Sequence, residues 1–268
     1  MSTVLAFFGL ALPYYAYLRK KSPENDWTRG GNVSTSAIQP LDLVIVGGYV
    51  LMYVLLWKSY LEVMEKAGEV ELTAGKIVGS MLGMIFMAGV VPGVLFWRAD
   101  LREFFGLRWP DWKKVFWIAP AFVFGFFVLS SILIALGWQE WVQSSLDGKP
   151  QNTVALLNET PDVGLLVVMA FSAVVIAPIT EEVIFRGYLY PVVKHFSDRW
   201  FAAVFTGVFF GVIHLNAFSL PALAVMGFTL VVLYEVTGSL WVTIACHAAF
   251  NGTSVGLILL SRVVEIPS

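Results

Sequence analysis

Charged residues are scarce in this chain. Only 13% of its 268 residues are charged and 58% are hydrophobic, whereas a soluble globular domain carries about 25% charged residues. The formal net charge is −2, so there is no excess of positive charge to suggest nucleic acid as a partner. The shortage of charge argues against an ordinary soluble enzyme and predicts that the main partner is a lipid bilayer.

Cysteine is nearly absent as well. Cys246 is the single cysteine of the sequence, which excludes an internal disulfide. No stretch alternates apolar and polar residues in the way that strands of a membrane barrel do. Clear repeats, low-complexity tracts and linkers are also missing, so a single domain over residues 1–268 is predicted.

Long apolar runs recur along the whole chain and predict an all-α, polytopic transmembrane bundle of about eight helices. The first run is followed by Arg19, Lys20 and Lys21, whereas a signal peptide has its basic residues in front. It therefore predicts a short membrane helix, with an interfacial helix as the alternative. The approximate spans are 3–18, 41–57, 75–97, 115–138, 163–190, 200–216, 219–236 and 239–261.

Basic residues are divided unequally between the two sides of these spans. Cytoplasmic loops carry an excess of Lys and Arg, and 11 of the 17 basic residues fall on one side if both termini lie outside. That orientation is predicted for a multi-pass protein, in the plasma membrane if the source is prokaryotic. The inner side would hold Arg19, Lys20, Lys21, Arg29, Arg98, Arg102, Arg108, Lys113, Lys114, Lys194 and Arg199. The outer side would hold Lys58, Lys66, Lys76, Lys149 and Arg262.

Two acids and a base lie inside the fifth predicted span. An ionisable residue at membrane depth is by default a hypothesis for a functional site. Glu182 and Arg186 have the i, i+4 spacing and order of a helical ion pair, whose alternative role is purely structural. Glu181 points about 100° away around the helix and could act as a general base. Pro178 removes a backbone hydrogen bond just before it.

Two further helices carry polar residues at four-residue spacing. Phe210 and His214 lie in the sixth predicted span, and His247 and Asn251 lie in the eighth. With a rise of 1.5 Å per residue, these groups and Glu181 come to similar depths, roughly 13–22 Å from the inner boundary. Either histidine alone would more often have a structural role, but the common level predicts one buried site.

Glycines at four-residue spacing occur in three of the spans. Small residues at this spacing let helix backbones approach closely, and packing within the bundle is favoured over dimerisation; the sequence does not define the oligomeric state. The glycines are Gly75, Gly79 and Gly83, then Gly207 and Gly211, then Gly252 and Gly256.

Two chemical assemblies are compatible with these side chains. In one, Glu181 and His214 activate water while His247 and Asn251 donate hydrogen bonds to a developing oxyanion. In the other, Glu181, His214 and His247 hold a catalytic zinc ion, although the HExxH helix of zinc proteases is absent. Metal-free glutamate chemistry without any cofactor is favoured, and a catalytic zinc ion is the alternative.

The three motifs together resemble the CPBP family of intramembrane proteins over about residues 160–260. That family includes type II CAAX prenyl proteases and bacteriocin-processing and immunity relatives. The resemblance implies an endopeptidase that cleaves a membrane-associated protein or peptide, with a prenylated CAAX-type substrate as one option. It implies that Glu181 and His214 activate water, that His247 and Asn251 form the oxyanion site, and that three residues have supporting roles. These are Glu182, Arg186 and Phe210.

Two other functions use similar residues. Buried acids and histidines also form ion relays in proton- or ion-coupled transporters, which usually have broken helices in both halves of the chain. Here the polar groups are confined to the second half, which weakens that reading. A non-catalytic immunity or interaction protein with the same fold is the third hypothesis.

Overall fold

Every regular element in the described part of the chain is helical. The computed structural model describes residues 13–15, 17, 30–67, 73–146, 156–158 and 160–264. A 3₁₀ turn, Trp112–Lys114, leads into the fourth helix. The longer elements are α1 Pro40–Ala67, α2 Ala74–Leu95, α3 Leu101–Phe104, α4 Val115–Ala135, α5 Trp138–Leu146, α6 Val163–Phe196, α7 Arg199–Ile213, α8 Leu220–Thr237 and α9 Leu240–Val264.

Five of these helices are long and apolar enough to cross a membrane, namely α2, α4 with its preceding turn, α6, α8 and α9. Two shorter apolar stretches, Pro40–Leu56 and Arg199–Ile213, correspond to the predicted spans 41–57 and 200–216. The predicted span 3–18 lies almost wholly outside the described residues. The all-α class and the multi-span membrane character are confirmed, and the total of eight spans stays a prediction.

The region 139–162, which connects two of the predicted spans, is partly helical. It begins in α5, which is tied to the α7–α8 connection because the Trp138 indole N–H donates to the carbonyls of Ala217 and Phe218 at 3.3 and 3.2 Å. Residues 147–155 and 159 lie outside the described part. One consequence is that α5 brings Trp138 next to the loop that follows His214.

Helices α7 and α8 pack with their backbones in close contact. A Cβ atom added to Gly207 would lie 2.7 Å from the Phe228 nitrogen, and one added to Gly211 would lie 2.9 Å from the Leu220 carbonyl oxygen. The predicted packing role is therefore confirmed for this pair. It is wrong for Gly79, Gly83 and Gly256, because a Cβ there would meet no atom of the described residues within 4 Å.

We expect Gly207→Ala to destabilise the protein by about 1–3 kcal/mol, because the added methyl group would push two helix backbones apart. Gly79→Ala is the matched control, and it should be neutral or stabilising by up to about 1 kcal/mol through helix propensity. Thermal unfolding of the detergent-solubilised variants measures both. Equal melting temperatures for the two variants would contradict the close α7–α8 approach.

Two buried polar clusters join the helices at one end of the bundle, which we call the closed end. Asp42 is fully buried, and its carboxylate accepts from Arg98 at 2.8 Å and from the Tyr188 hydroxyl at 2.7 Å. In the second cluster, Lys194 pairs with Glu235 and donates to the Val33 carbonyl at 2.9 Å. These contacts fix the C-terminal part of α6.

The second cluster corrects the sequence prediction for Lys194. Lys194 was assigned to an inner loop, but it lies in α6 and is fully buried. Its partner Glu235, near the end of α8, also accepts from the Tyr190 hydroxyl at 2.6 Å. Burial is possible because the two charges compensate each other.

Candidate active site

Helix α6 contains two π-helical turns, Ser172–Ile176 and Phe185–Leu189. Each is followed two residues later by a proline, Pro178 or Pro191. Proline has no backbone N–H and cannot continue the hydrogen-bond ladder. The helix therefore widens locally into a π-helical turn. Such turns are common at functional sites.

The first π turn leaves one backbone carbonyl without a backbone donor, so that a side chain can donate a hydrogen bond to it. The Ala177 N–H donates to the Ser172 carbonyl, five residues back, so the Ala173 carbonyl would next receive the N–H of residue 178. Because residue 178 is proline, that donor does not exist. The Asn251 side-chain amide donates to the Ala173 carbonyl instead, at 2.8 Å. Asn251 is thereby anchored with one amide hydrogen still available.

We expect Pro178→Ala to lower the turnover of the proposed reaction by about 2- to 10-fold. The new N–H would compete with Asn251 for the Ala173 carbonyl, and a hydrogen bond contributes about 0.5–1.5 kcal/mol. Steady-state kinetics measures this effect. Pro191→Ala, which follows the second π turn near the closed end, is the control and should leave turnover unchanged; an equal loss in both variants would contradict the anchoring role.

The predicted ion pair in α6 is confirmed by the structure. Arg186 Nη1 lies 2.7 Å from Glu182 Oε1, and both side chains are fully buried. Arg186 Nη2 also donates to the Gly227 carbonyl of α8 at 3.0 Å. The guanidinium lies 4.7 Å from the centre of the Phe210 ring, a cation–π distance. The pair therefore joins α6 to both α7 and α8.

His247 bridges the two glutamates of α6. Its Nδ1 lies 2.9 Å from Glu182 Oε1, so the Nδ1–H donates to that carboxylate, and its Nε2 lies 3.9 Å from Glu181 Oε2. A histidine with one nitrogen held by a carboxylate has a fixed ring orientation and a defined role for the other nitrogen. Glu182 therefore positions His247 in addition to neutralising Arg186.

His214 marks the end of α7 rather than its interior. The sequence placed it inside a span reaching 216, but the helix ends at Ile213 and Leu215 turns the chain with a φ of +54°. Its Nδ1 lies 2.7 Å from the Phe210 carbonyl, so this nitrogen carries the hydrogen and Nε2 remains an acceptor. The Phe210 ring lies 4.8 Å from the His214 ring and 5.8 Å from the His247 ring.

A cavity of about 710 Å³ brings the predicted residues together. Glu181, His214, His247 and Asn251 all line it, while Glu182 and Arg186 lie behind it, fully buried. Its remaining wall comes partly from the first half of the chain, which the sequence did not assign to the site. The polar members that sequence reasoning missed are Lys76, Ser80, Ser130, Trp138, Gln139, Ser172, Asn216, Ser219 and Ser254.

The charges of the site are arranged asymmetrically. Glu182 is neutralised by Arg186, whereas Glu181 has a side chain 17% exposed and faces the cavity. The 3.9 Å gap between Glu181 and His247 admits one water oxygen within hydrogen-bond distance of both groups. The arrangement can therefore hold a water molecule against a carboxylate.

The suggested zinc ligands do not form a three-ligand set in this arrangement. Catalytic zinc usually has three protein ligands at about 2.0–2.2 Å. Among the residues that the structure describes, no group of three or more His, Cys, Asp or Glu side chains is placed to hold a metal ion. Glu181 and His247 approach each other, but His214 does not complete a ligand set with them.

Comparison with known proteins finds similarity in the part of the chain that contains the candidate site. Residues 163–253 match the family model described as "Type II CAAX prenyl endopeptidase Rce1-like". The chain is also 29% identical over 127 residues to "Putative membrane peptidase YdiL" of Bacillus subtilis (strain 168). This similarity covers 47% of the chain and 51% of that relative, about half the length of each. No solved structure gives a significant match.

These findings confirm the resemblance to the CPBP family that the three motifs indicate. The matched segment 163–253 contains α6, α7 and α8 entirely, and the part of α9 that carries the site. The first half of the chain, including α2 and α4, lies outside that segment.

Proposed function

We propose that this chain is an intramembrane endopeptidase in which Glu181 activates water to hydrolyse a peptide bond. One observation carries the proposal: three helices place Glu181, His214, His247 and Asn251 on one cavity. A carboxylate within reach of water and several hydrogen-bonding groups is what a water-attack peptidase requires.

The hydrogen bonds of the structure suggest a role for each histidine. In the neutral ring of His214, the hydrogen bond from Nδ1–H to the Phe210 carbonyl leaves Nε2 as the acceptor, so it can accept a hydrogen bond from the attacking water. His247 has its Nδ1–H held by Glu182, so it donates towards the cavity only when Nε2 is also protonated. A protonated His247 would balance the charge of Glu181, as Arg186 balances Glu182.

The proposed reaction follows from these roles. Glu181 takes a proton from water while the water oxygen bonds to the carbonyl carbon of the substrate. The oxyanion accepts hydrogen bonds from His247 Nε2 and from the second amide hydrogen of Asn251. The C–N bond then breaks, and the proton held by Glu181 passes to the leaving amine. No cofactor takes part in this scheme.

The substrate class follows from the surroundings of the site. The cavity lies among helices that are long and apolar enough to cross a membrane, so a substrate must be membrane-associated to reach it. A membrane-associated peptide or a lipidated protein, including a prenylated CAAX-type protein, meets this requirement. We place the protein in the plasma membrane if its source is prokaryotic.

A peptide-profiling experiment tests the function directly. The purified protein, reconstituted in lipid nanodiscs, is incubated with membrane-associated peptides prepared from a membrane proteome, and new termini are identified by mass spectrometry. The Glu181→Gln variant, prepared in the same way, gives the background. New termini that appear only with the wild-type chain support a peptidase, and identical termini in both samples contradict it.

We expect cleavage to survive treatment with a strong chelator, because the proposed chemistry uses no metal. The same assay is repeated after incubation with 1,10-phenanthroline and after dialysis, with a known zinc protease as the positive control for chelation. An activity that is lost with the chelator and restored by added zinc would overturn the metal-free mechanism. It would leave the peptidase assignment intact.

A further inference from the structure

Thr206, in α7, is fully buried, and its hydroxyl has no hydrogen-bond partner among the described residues. A threonine inside a helix can donate to a backbone carbonyl about one turn back. The Thr206 hydroxyl does not make this bond, so it is turned away from the carbonyls of its own helix. The other helical threonines of the described chain all make it, namely Thr180, Thr229, Thr237, Thr243 and Thr253.

Two atoms of the buried ion pair in α6 also have no partner in the described part of the protein. They are Arg186 Nε and Glu182 Oε2, because the pair itself is made by Arg186 Nη1 and Glu182 Oε1. A polar group that is buried without a partner loses its hydration and gains no hydrogen bond in return. Nearly all buried polar groups in folded proteins are satisfied by protein or by ordered water. Protein groups alone therefore leave the hydrogen bonding of this pair incomplete.

Packing places Thr206 beside the Arg186 guanidinium. Arg186 Nη2 donates to the Gly227 carbonyl at 3.0 Å. A Cβ atom added to Gly227 would lie 2.7 Å from the Cα of Gly207, the residue that follows Thr206. The guanidinium also lies 4.7 Å from the centre of the Phe210 ring, and Phe210 lies one turn from Thr206 on the same face of α7. The Thr206 hydroxyl and Arg186 Nε therefore face the same space between α6, α7 and α8.

A water molecule matches the chemistry of these three atoms. Arg186 Nε–H donates, Glu182 Oε2 accepts, and the Thr206 hydroxyl can do both. A buried water also donates and accepts, and it typically makes about three hydrogen bonds. A bound anion would be repelled by the Glu182 carboxylate, and a bound cation by Arg186. We propose that a buried water molecule bridges Arg186 Nε and the Thr206 hydroxyl, with a hydrogen available for Glu182 Oε2.

This water makes Thr206 a positioning residue of the proposed active site. The donors of a guanidinium lie in one plane, so hydrogen bonds at Nε and Nη2 fix the direction in which Nη1 meets Glu182. Glu182 Oε1 in turn accepts from His247 Nδ1 at 2.9 Å. A change at Thr206 therefore reaches His247 through Arg186 and Glu182. The water site stands without the peptidase function, whereas the effect on catalysis rests on it.

Crystal structures of the wild-type chain and two variants test the water site without any need for activity. Thr206→Val keeps the shape of the side chain but removes the hydroxyl, whereas Thr206→Ser keeps the hydroxyl. We expect electron density for a water within about 3.2 Å of Arg186 Nε in the wild-type chain and in Thr206→Ser, and its loss in Thr206→Val. A wild-type structure without this water, or with a protein group on Nε, would overturn the proposal.

Steady-state kinetics with a peptide from the profiling experiment tests the positioning role. We expect Thr206→Val to lower kcat by about 2- to 10-fold, which corresponds to the loss of one hydrogen bond. KM should not change, because Thr206 does not line the cavity. Thr206→Ser should restore kcat. Thr229→Val is the matched control and should leave kcat unchanged, because the Thr229 hydroxyl donates to the Val225 carbonyl of its own helix.

The kinetic outcomes separate the positioning role from the peptidase function. An unchanged kcat in Thr206→Val, or equal losses in Thr206→Val and Thr206→Ser, would overturn the positioning role. A water that persists in the Thr206→Val crystal structure would overturn it as well. An absence of cleavage by the wild-type chain would remove the peptidase and leave the crystallographic result standing.

Discussion

Replacing Glu181 with glutamine is expected to lower the rate of peptide cleavage by about 100-fold or more. Loss of a positioned general base typically costs 10²–10⁴-fold in rate. Glutamine keeps the shape of the side chain and its contact with the cavity, but it cannot take a proton from water. The measurement is kcat with a peptide from the profiling experiment.

The fold should survive this change, because Glu181 faces the cavity and the buried pair behind it is untouched. We therefore expect a melting temperature close to that of the wild-type chain. Glu140→Gln, which removes an exposed carboxylate on α5, is the matched control and should leave kcat unchanged. A Glu181→Gln variant that cleaves at the wild-type rate would exclude Glu181 as the base, and His214→Ala tests the second water-binding group in the same assay.

Replacing Glu182 with glutamine is expected to destabilise the protein by about 3–5 kcal/mol. Removing one partner of a buried ion pair leaves an uncompensated charge in a medium of low dielectric constant. Here the remaining charge is that of Arg186, which would face only neutral acceptors, namely the new amide oxygen and the Gly227 carbonyl. The measurement is the free energy of unfolding in mixed micelles.

A double-mutant cycle separates this effect from a general loss of packing. Glu182→Gln combined with Arg186→Met removes both charges, and we expect it to recover a large part of the stability lost in the single variant. Lys114→Met is the control for an ordinary ion pair, because the Lys114–Asp111 pair is more than half exposed and contributes at most about 1 kcal/mol. Additive losses in the double variant would show that the two charges do not compensate each other.

The same cycle distinguishes the structural role of Glu182 from its contact with His247. If Glu182 only neutralised Arg186, the stable double variant would regain activity together with stability. Because Glu182 Oε1 also accepts from His247 Nδ1, we expect the double variant to fold but to have a lower kcat than the wild-type chain. Recovery of full activity would show that the His247 contact does not matter for catalysis.

The sequence by itself determined the helical class, the candidate residues of the proposed site and one of their contacts. Long apolar runs require helices in lipid, because every backbone polar group must be satisfied within its own segment. The Glu182–Arg186 pair could be predicted since residues four apart share one helix face. Gly207 and Gly211 indicated a close helix approach for the same local reason, but not that α8 is the partner.

Only the tertiary structure decided which groups meet across helices. The His247–Glu182 hydrogen bond joins residues 65 apart in the chain, and the Asn251–Ala173 bond depends on a π turn. Two further features also depend on contacts between helices. They are the pairing of Lys194 with Glu235 and the contribution of α2 and α4 to the cavity wall. Periodicity states which face of a helix a residue occupies, but the rotation and neighbours of that helix are set by packing against the rest of the bundle.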